Sequence, residues 1–168
     1  MSQLSEAGGR TWSGTVEAEH DVASLWTGDG ADVVAACTHF AASTSTVLVT
    51  VEVADGRVQV QGNAGPQDLD RARTLHAERR GGRLFVFPGH TSLVGVMTVG
   101  ELLTASAIDQ VVMIGQREQV PDEQRIDTQS FVRPDLVDGV TRLLVRPAAG
   151  GVVVPFEQPN PTPCCADH

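Results

Sequence analysis

Alternating apolar and polar positions give the clearest structural signal in the chain. Residues 46–62 place a valine at every second position on either side of an Asp55-Gly56 turn signal, which predicts a β-hairpin. A two-residue turn there would set Val53 opposite Val58, so that the valines of both strands share one face.

Other segments show shorter strand patterns. They are residues 11–19, 83–87, 110–114, 140–146 and 151–156. The last two are expected to form a second hairpin around the turn at 147–150.

Helical spacing predicts three further elements. Residues 31–41 place apolar side chains at intervals of three and four, and residues 66–80 begin with a proline suited to a first helical turn. Thr98 and Glu101 have capping-box spacing before a short helix, whereas residues 116–130 lack any period and predict a surface loop.

Together these patterns predict an α+β fold. Antiparallel β-hairpins would dominate, forming a barrel- or sandwich-like sheet with two or three short helices packed against it. We expect a flexible tail over residues 1–10, one globular domain over 11–156 and a Pro-rich C-terminal arm over 157–168.

Composition and charge narrow the functional classes. The chain has 168 residues, a net charge of −9 and only 4% aromatic residues, so Val, Leu and Ala must build the core. The negative charge argues against general binding to nucleic acid. No export signal or membrane-spanning stretch is visible, which predicts a cytoplasmic protein, where three cysteines are not expected to form a disulfide framework.

The C-terminal arm carries the densest group of metal-binding residue types. Cys164, Cys165 and His168 follow a run of prolines that stiffens the chain. Thiolate and imidazole are the usual ligands of Zn²⁺, which takes four, so the arm can supply only part of a site. The remaining ligand would come from His90, His39, Cys37, His20 or His76.

The local structure around Cys37 decides how it relates to His39. In the predicted helix over 31–41 the two side chains diverge by about 200° and cannot share a metal, which leaves His39 accessible and Cys37 in the core. If the segment is a strand instead, both side chains point the same way and form a Cys-x-His ligand pair. His76 lies in an apolar helical stripe and is expected to be a core histidine, while His90 follows a strand end and is a candidate base or ligand.

Five arginines fall within residues 71–83. Arg79, Arg80 and Arg83 flank two glycines and are candidates for binding an anion. Because acidic residues are interleaved with the cluster, the alternative is a solvated helix with internal ion pairs.

The sequence contains no hydrolase, kinase or phosphate-loop motif. We therefore expect an accessory or interaction domain. It would be a subunit of an oligomer, formed with copies of itself or with another protein. Its C-terminal arm would dock on the fold or on a partner, with Zn²⁺ as the candidate cofactor. Two alternatives remain open. One is an enzyme with a metal- or thiolate-based site formed by His90 and the Cys164, Cys165 and His168 group, and the other is anion or nucleic-acid binding through residues 71–83.

Overall fold

The computed structural model describes residues 33–158, which form ten β-strands and two α-helices. In chain order these elements are β1 (Val33–Ala41), β2 (Thr46–Val53), β3 (Val58–Gln61), α1 (Pro66–Ala77), β4 (Arg83–Val86), β5 (Val96–Thr98), α2 (Val99–Ala105), β6 (Gln110–Met113), β7 (Arg125–Asp127), β8 (Asp135–Val137), β9 (Val140–Pro147) and β10 (Val153–Pro155). Neither helix has the length and apolar character needed to cross a membrane.

All ten strands belong to one mixed sheet. Their order is β3-β2-β1-β4-β8-β9-β10-β7-β5, and β6 pairs with β9 outside this path. Most pairs are antiparallel, but β6 with β9 and β7 with β10 are parallel. The α+β class is therefore confirmed, whereas closure into a barrel is wrong. Within the described residues, β3 and β5 lie at opposite ends of the strand order and are not paired with each other.

The segment predicted as the first helix is strand β1. All five residues from 35 to 39 are buried, and because alternate residues of a strand face opposite sides, both faces of β1 are covered. A strand buried on both faces is a continuous apolar run, and such a run also satisfies helical spacing by coincidence. The β-branched Val33 and Val34 at its start favour the strand.

The hairpin of β2 and β3 forms as predicted, but its register differs by one residue. Gly56 adopts a left-handed φ of 82°, and its N–H donates to the Val53 carbonyl at 2.8 Å, which creates a three-residue loop. Val58 consequently pairs with Glu52 and not with Val53. The valines of β3 therefore share the face of Glu52, opposite to the valines of β2.

Helix α1 packs on the face of β1, β2 and β3 that carries Glu52. Pro66 occupies the first turn, as expected from its fixed φ, and Ala72 packs with Ala41 and Leu48 in a small core. This packing directs the last turn of the helix, including His76, onto the sheet.

The larger core lies around β4, β6, β9 and α2, and Phe87, Leu102, Ile126 and Leu143 are fully buried there. The predicted capping box of α2 is confirmed by reciprocal hydrogen bonds between Thr98 and Glu101.

The loop predicted over 116–130 contains strand β7, which pairs with β5 and β10. Three residues are too few to show the alternation of apolar and polar positions that marks a strand. Such a strand is recognised only from the neighbouring strands with which it pairs.

Candidate metal centre

Two elements bring three metal-binding side chains together. Cys37 and His39 are two residues apart on β1, so both side chains project from the face that α1 covers. His76 lies in the last turn of α1 and points onto the same face. All three are at least 96% buried, and one ligand atom from each lies within 4.8 Å of the others. Within the range 33–158 this is the one cluster of Cys, His and acidic residues with spacing suited to a metal ion.

A chain of hydrogen bonds links the two histidines to the edge of the sheet. The Thr50 hydroxyl lies 3.0 Å from His39 Nε2 and 2.7 Å from His76 Nδ1. His76 Nε2 lies 3.3 Å from a Glu52 carboxylate oxygen. Thr50 and Glu52 are successive inward residues of β2, so one strand positions both imidazole rings.

Burial keeps both histidines neutral at pH 7. Desolvation, followed by the nearby His76, lowers the pKa of His39 to about 4. Desolvation also lowers the pKa of His76, against the opposing effect of its hydrogen bond and charge interaction with Glu52. Each neutral ring carries a single N–H, and this restricts how protons are placed along the chain of hydrogen bonds.

The direction of the hydrogen bonds follows from Glu52, because a carboxylate can only accept. His76 therefore donates through Nε2 and accepts at Nδ1, so the Thr50 hydroxyl donates to His76. The hydroxyl also lies 3.3 Å from the Cys37 carbonyl, but its single proton is better placed in the 2.7 Å contact. Thr50 then accepts from His39 Nε2–H.

This assignment leaves an unprotonated nitrogen at His39 Nδ1. The atom is buried and has no hydrogen-bond partner among the described residues. It lies near the Cys37 thiol, because both atoms adjoin Gly82: a Cβ built there would be 2.8 Å from His39 Nδ1 and 2.6 Å from Cys37 Sγ. A buried lone pair beside a thiol is a donor set suited to a thiophilic metal.

The separations are compatible with zinc after small side-chain movements. Bonds of about 2.3 Å to sulfur and about 2.0 Å to nitrogen place tetrahedral donors about 3.3–3.6 Å apart. Donors separated by up to 4.8 Å would therefore close by roughly 1 Å between two side chains.

A surface cleft of about 390 Å³ reaches His39 from outside the fold. Arg71 and Leu75 of α1 form one wall, and Val137 of β8 lies on the other. Phe40 at its rim is 63% exposed. Of the three donors, His39 is the one that lines this cleft.

The structure describes only two of the residues predicted to form a metal site, His39 and His90. Cys164, Cys165 and His168 lie outside the described residues. His90 lies in a short 3₁₀ turn, where its Nδ1 donates to the Phe87 carbonyl at 2.7 Å, and it is not part of the three-donor cluster. Of the predicted ligands, His39 belongs to that cluster.

Cys37 and His76 belong to the cluster, although the sequence favoured a core position for both and named them only among the candidates for a remaining ligand. Cys37 was separated from His39 by the incorrect helix over 31–41, and the Cys-x-His alternative for a strand describes the pair correctly. No sequence spacing connects His76 to this pair, because the contact depends on how α1 packs over β1.

The candidate anion-binding arginines lie next to acidic side chains. Arg80 is 3.5 Å from Glu78 and 3.8 Å from Asp138. Arg83 contacts Asp135 at 3.4 Å and also pairs with Glu157. Arg79 is exposed with a left-handed φ of 51°. This arrangement resembles the ion-paired alternative, and anion binding by these residues stays a prediction.

Comparison with protein-family models, with curated proteins and with solved structures gives no match to this chain.

Proposed function

We propose that this protein binds a transition metal of the zinc class through Cys37, His39 and His76. The observation that carries the proposal is the buried His39 Nδ1, which has no hydrogen-bond partner in the described part of the chain and lies near the Cys37 thiol on the side of Gly82. A metal would give this lone pair a partner, and it would stabilise a deprotonated thiol that is costly to bury alone.

The surrounding hydrogen bonds favour the same role. His39 would bind through Nδ1 while its Nε2–H stays with Thr50. His76 would keep its Nε2–H on Glu52 and bind through Nδ1, exchanging the Thr50 hydrogen bond for the metal. A carboxylate that orients the opposite nitrogen of a ligating histidine is a common feature of zinc sites.

Two broader functions are consistent with such a site. A metal held by three protein ligands with an open fourth position is the arrangement of catalytic zinc, and the cleft that reaches His39 favours an enzyme of that kind. A site closed by a fourth protein ligand would instead be structural, as expected for an accessory or interaction domain. The protein partner, the oligomer and the cytoplasmic location stay predictions.

Metal analysis of the purified full-length protein tests the proposal. We expect one zinc or other thiophilic metal per chain, and a sulfur-to-cobalt charge-transfer band when Co²⁺ is bound. The variants C37S, H39Q and H76Q should each weaken zinc binding by more than the about 10- to 100-fold that the loss of an outer hydrogen-bond partner causes. H90Q is the matched control, since His90 lies outside the cluster. Equal affinity in H39Q and H90Q would contradict the proposal.

A further inference from the structure

We propose that the cleft beside α1 binds a small organic anion, a monocarboxylate with an apolar body, and that Arg71 binds its carboxylate group. Binding of this anion requires no metal. It is therefore independent of the proposed metal site, with which the cleft shares only His39.

Backbone hydrogen bonds join the two walls of the cleft, which are the second half of α1 and strand β8. The Gly81 N–H donates to the Leu136 carbonyl at 2.6 Å, and the Leu136 N–H donates to the Gly82 carbonyl at 3.0 Å. In the turn after β8, the Gly139 N–H donates to the Arg79 carbonyl at 3.0 Å. These bonds fix the distance between the walls, so a ligand enters a cleft that is already formed and loses little free energy in ordering it.

Arg71 supplies a positive charge that no acidic side chain of the fold matches. It lies one helical turn before Leu75, and both residues line the cleft. The two acidic residues of α1 have other partners, because Asp68 accepts a hydrogen bond from Ser43 and Asp70 pairs with Arg73 at 2.7 Å. Within residues 33–158, Arg71 forms no ion pair.

The other charged groups of the cleft balance one another. Arg83 lies 3.4 Å from Asp135 and also pairs with Glu157. His39 is neutral at pH 7, because burial lowers its pKa to about 4. The lining therefore has one positive charge in excess, that of Arg71, although the whole chain has a net charge of −9. A ligand with a single negative charge matches this excess.

Apolar side chains surround the charge. Leu75 and Val137 are half-buried on opposite walls, and Phe40 at the rim is 63% exposed. Covering them with the body of a ligand removes apolar surface from water, which favours binding. The volume of about 390 Å³ lies within the range of about 300–1,000 Å³ that is typical of small-molecule sites.

The single excess charge favours a carboxylate over a phosphate. The planar guanidinium group of an arginine binds a carboxylate through two parallel hydrogen bonds. A phosphate monoester has a charge of about −1.5 to −2 at pH 7, and one unmatched arginine neutralises only part of it. A carboxylate with an aromatic or aliphatic body therefore fits the charge, the lining and the size of the cleft.

Calorimetric titration of the full-length protein with 3-phenylpropionate tests the proposal, because this compound joins a carboxylate to a phenyl ring. Its amide, 3-phenylpropionamide, keeps the shape and removes the charge, whereas propionate keeps the charge and removes the ring. We expect 3-phenylpropionate to bind at least about 10-fold more tightly than either of them.

Two exposed side chains of the cleft are suitable for substitution. R71M should weaken binding of 3-phenylpropionate by about 10- to 100-fold, as expected for the loss of hydrogen bonds between charged groups. R73M is the matched control, because it removes the same charge from the same helix outside the cleft, and it should bind like the wild type. F40A should weaken binding by about 2- to 10-fold through the lost aromatic contact.

Several results would overturn the proposal while leaving the metal site untouched. They are no measurable binding of 3-phenylpropionate at millimolar concentration, equal affinity of R71M and the wild type, and equal binding of the acid and its amide. Loss of binding when a chelator is added would place the carboxylate on a metal and would also overturn it. A dimer of the wild type that R71M dissociates, measured by light scattering, would assign the cleft to a second copy instead of a small anion.

Discussion

Gly82 gives the sharpest test of the site's geometry, because its hydrogen-only side chain allows the backbone to touch two donors. Its φ is +97°, and a Cβ at this position would lie 2.6 Å from Cys37 Sγ and 2.7 Å from His39 Cε1. Both distances are too short for real atoms, so the Gly82→Ala variant must displace the thiol, the imidazole or the chain between β4 and α1.

The expected magnitude has two components. A left-handed backbone costs an alanine about 1–2 kcal/mol, and forcing a methyl group into a packed interior adds about 1–3 kcal/mol. The free energy of unfolding should therefore fall by about 2–5 kcal/mol in G82A. G81A is the matched control, since Gly81 has a φ of +72° and its Cβ would meet only Leu75 Cδ1, at 3.9 Å. In G81A the free energy of unfolding should fall only by the cost of the left-handed backbone, about 1–2 kcal/mol.

Urea unfolding of the metal-free variants measures these differences, and zinc titration measures the effect on the site. G82A should bind zinc at least about 10-fold more weakly than G81A, because its methyl group pushes on two ligands. If the two variants unfold at the same urea concentration and bind zinc equally, the close approach of Gly82 to the donors is wrong.

Three further predictions concern the stability of the buried site. Because the pKa of His39 falls from 6.5 in the unfolded chain to about 4 in the fold, its contribution to the stability of the metal-free protein is fully present above pH 6.5 and is lost as the pH falls towards 4. The full loss amounts to about 3 kcal/mol. When urea unfolding is measured across this pH range, the free energy of unfolding should depend less steeply on pH in H39Q than in the wild type. The same pH dependence in both proteins would contradict the lowered pKa of His39. Thr50→Val should reduce the free energy of unfolding by about 1–3 kcal/mol by removing the shared hydroxyl, whereas Thr50→Ser keeps it and should stay closer to the wild type by thermal or urea unfolding. Zinc at about 100 times its dissociation constant should stabilise the wild type by about 2.7 kcal/mol in the same assay, and a chelator should reverse this; an equal effect in C37S would exclude the proposed ligand.

The sequence predicted the elements whose signals are local. The hairpin of β2 and β3, helix α1 behind Pro66 and the Thr98 capping box all depend on residues within a few positions of one another. The register of the hairpin was wrong because the three-residue loop at Gly56 follows from a left-handed φ that Asp55-Gly56 alone does not distinguish from a two-residue turn.

The candidate site could be predicted only in part, because it depends on tertiary contacts. Cys37 and His39 become a pair once β1 is known to be a strand, and the β-branched residues at its start were the available signal. His76 joins them only through the packing of α1, which no spacing in the chain encodes. Sequence density favours the donors of the C-terminal arm, whereas the three donors that the structure brings together are spread over residues 37–76.

The position of the three donors along the chain has a consequence for how the protein folds. β1, β2, β3 and α1 follow one another without interruption and pair with their sequence neighbours, whereas the parallel pairing of β6 with β9 joins segments about thirty residues apart. Contacts between near neighbours form faster than distant ones, because they require less loop-closure entropy. We therefore expect the hairpin and helix that carry the donors to assemble early, so that zinc added at the start of refolding would capture this unit and accelerate folding of the remaining sheet.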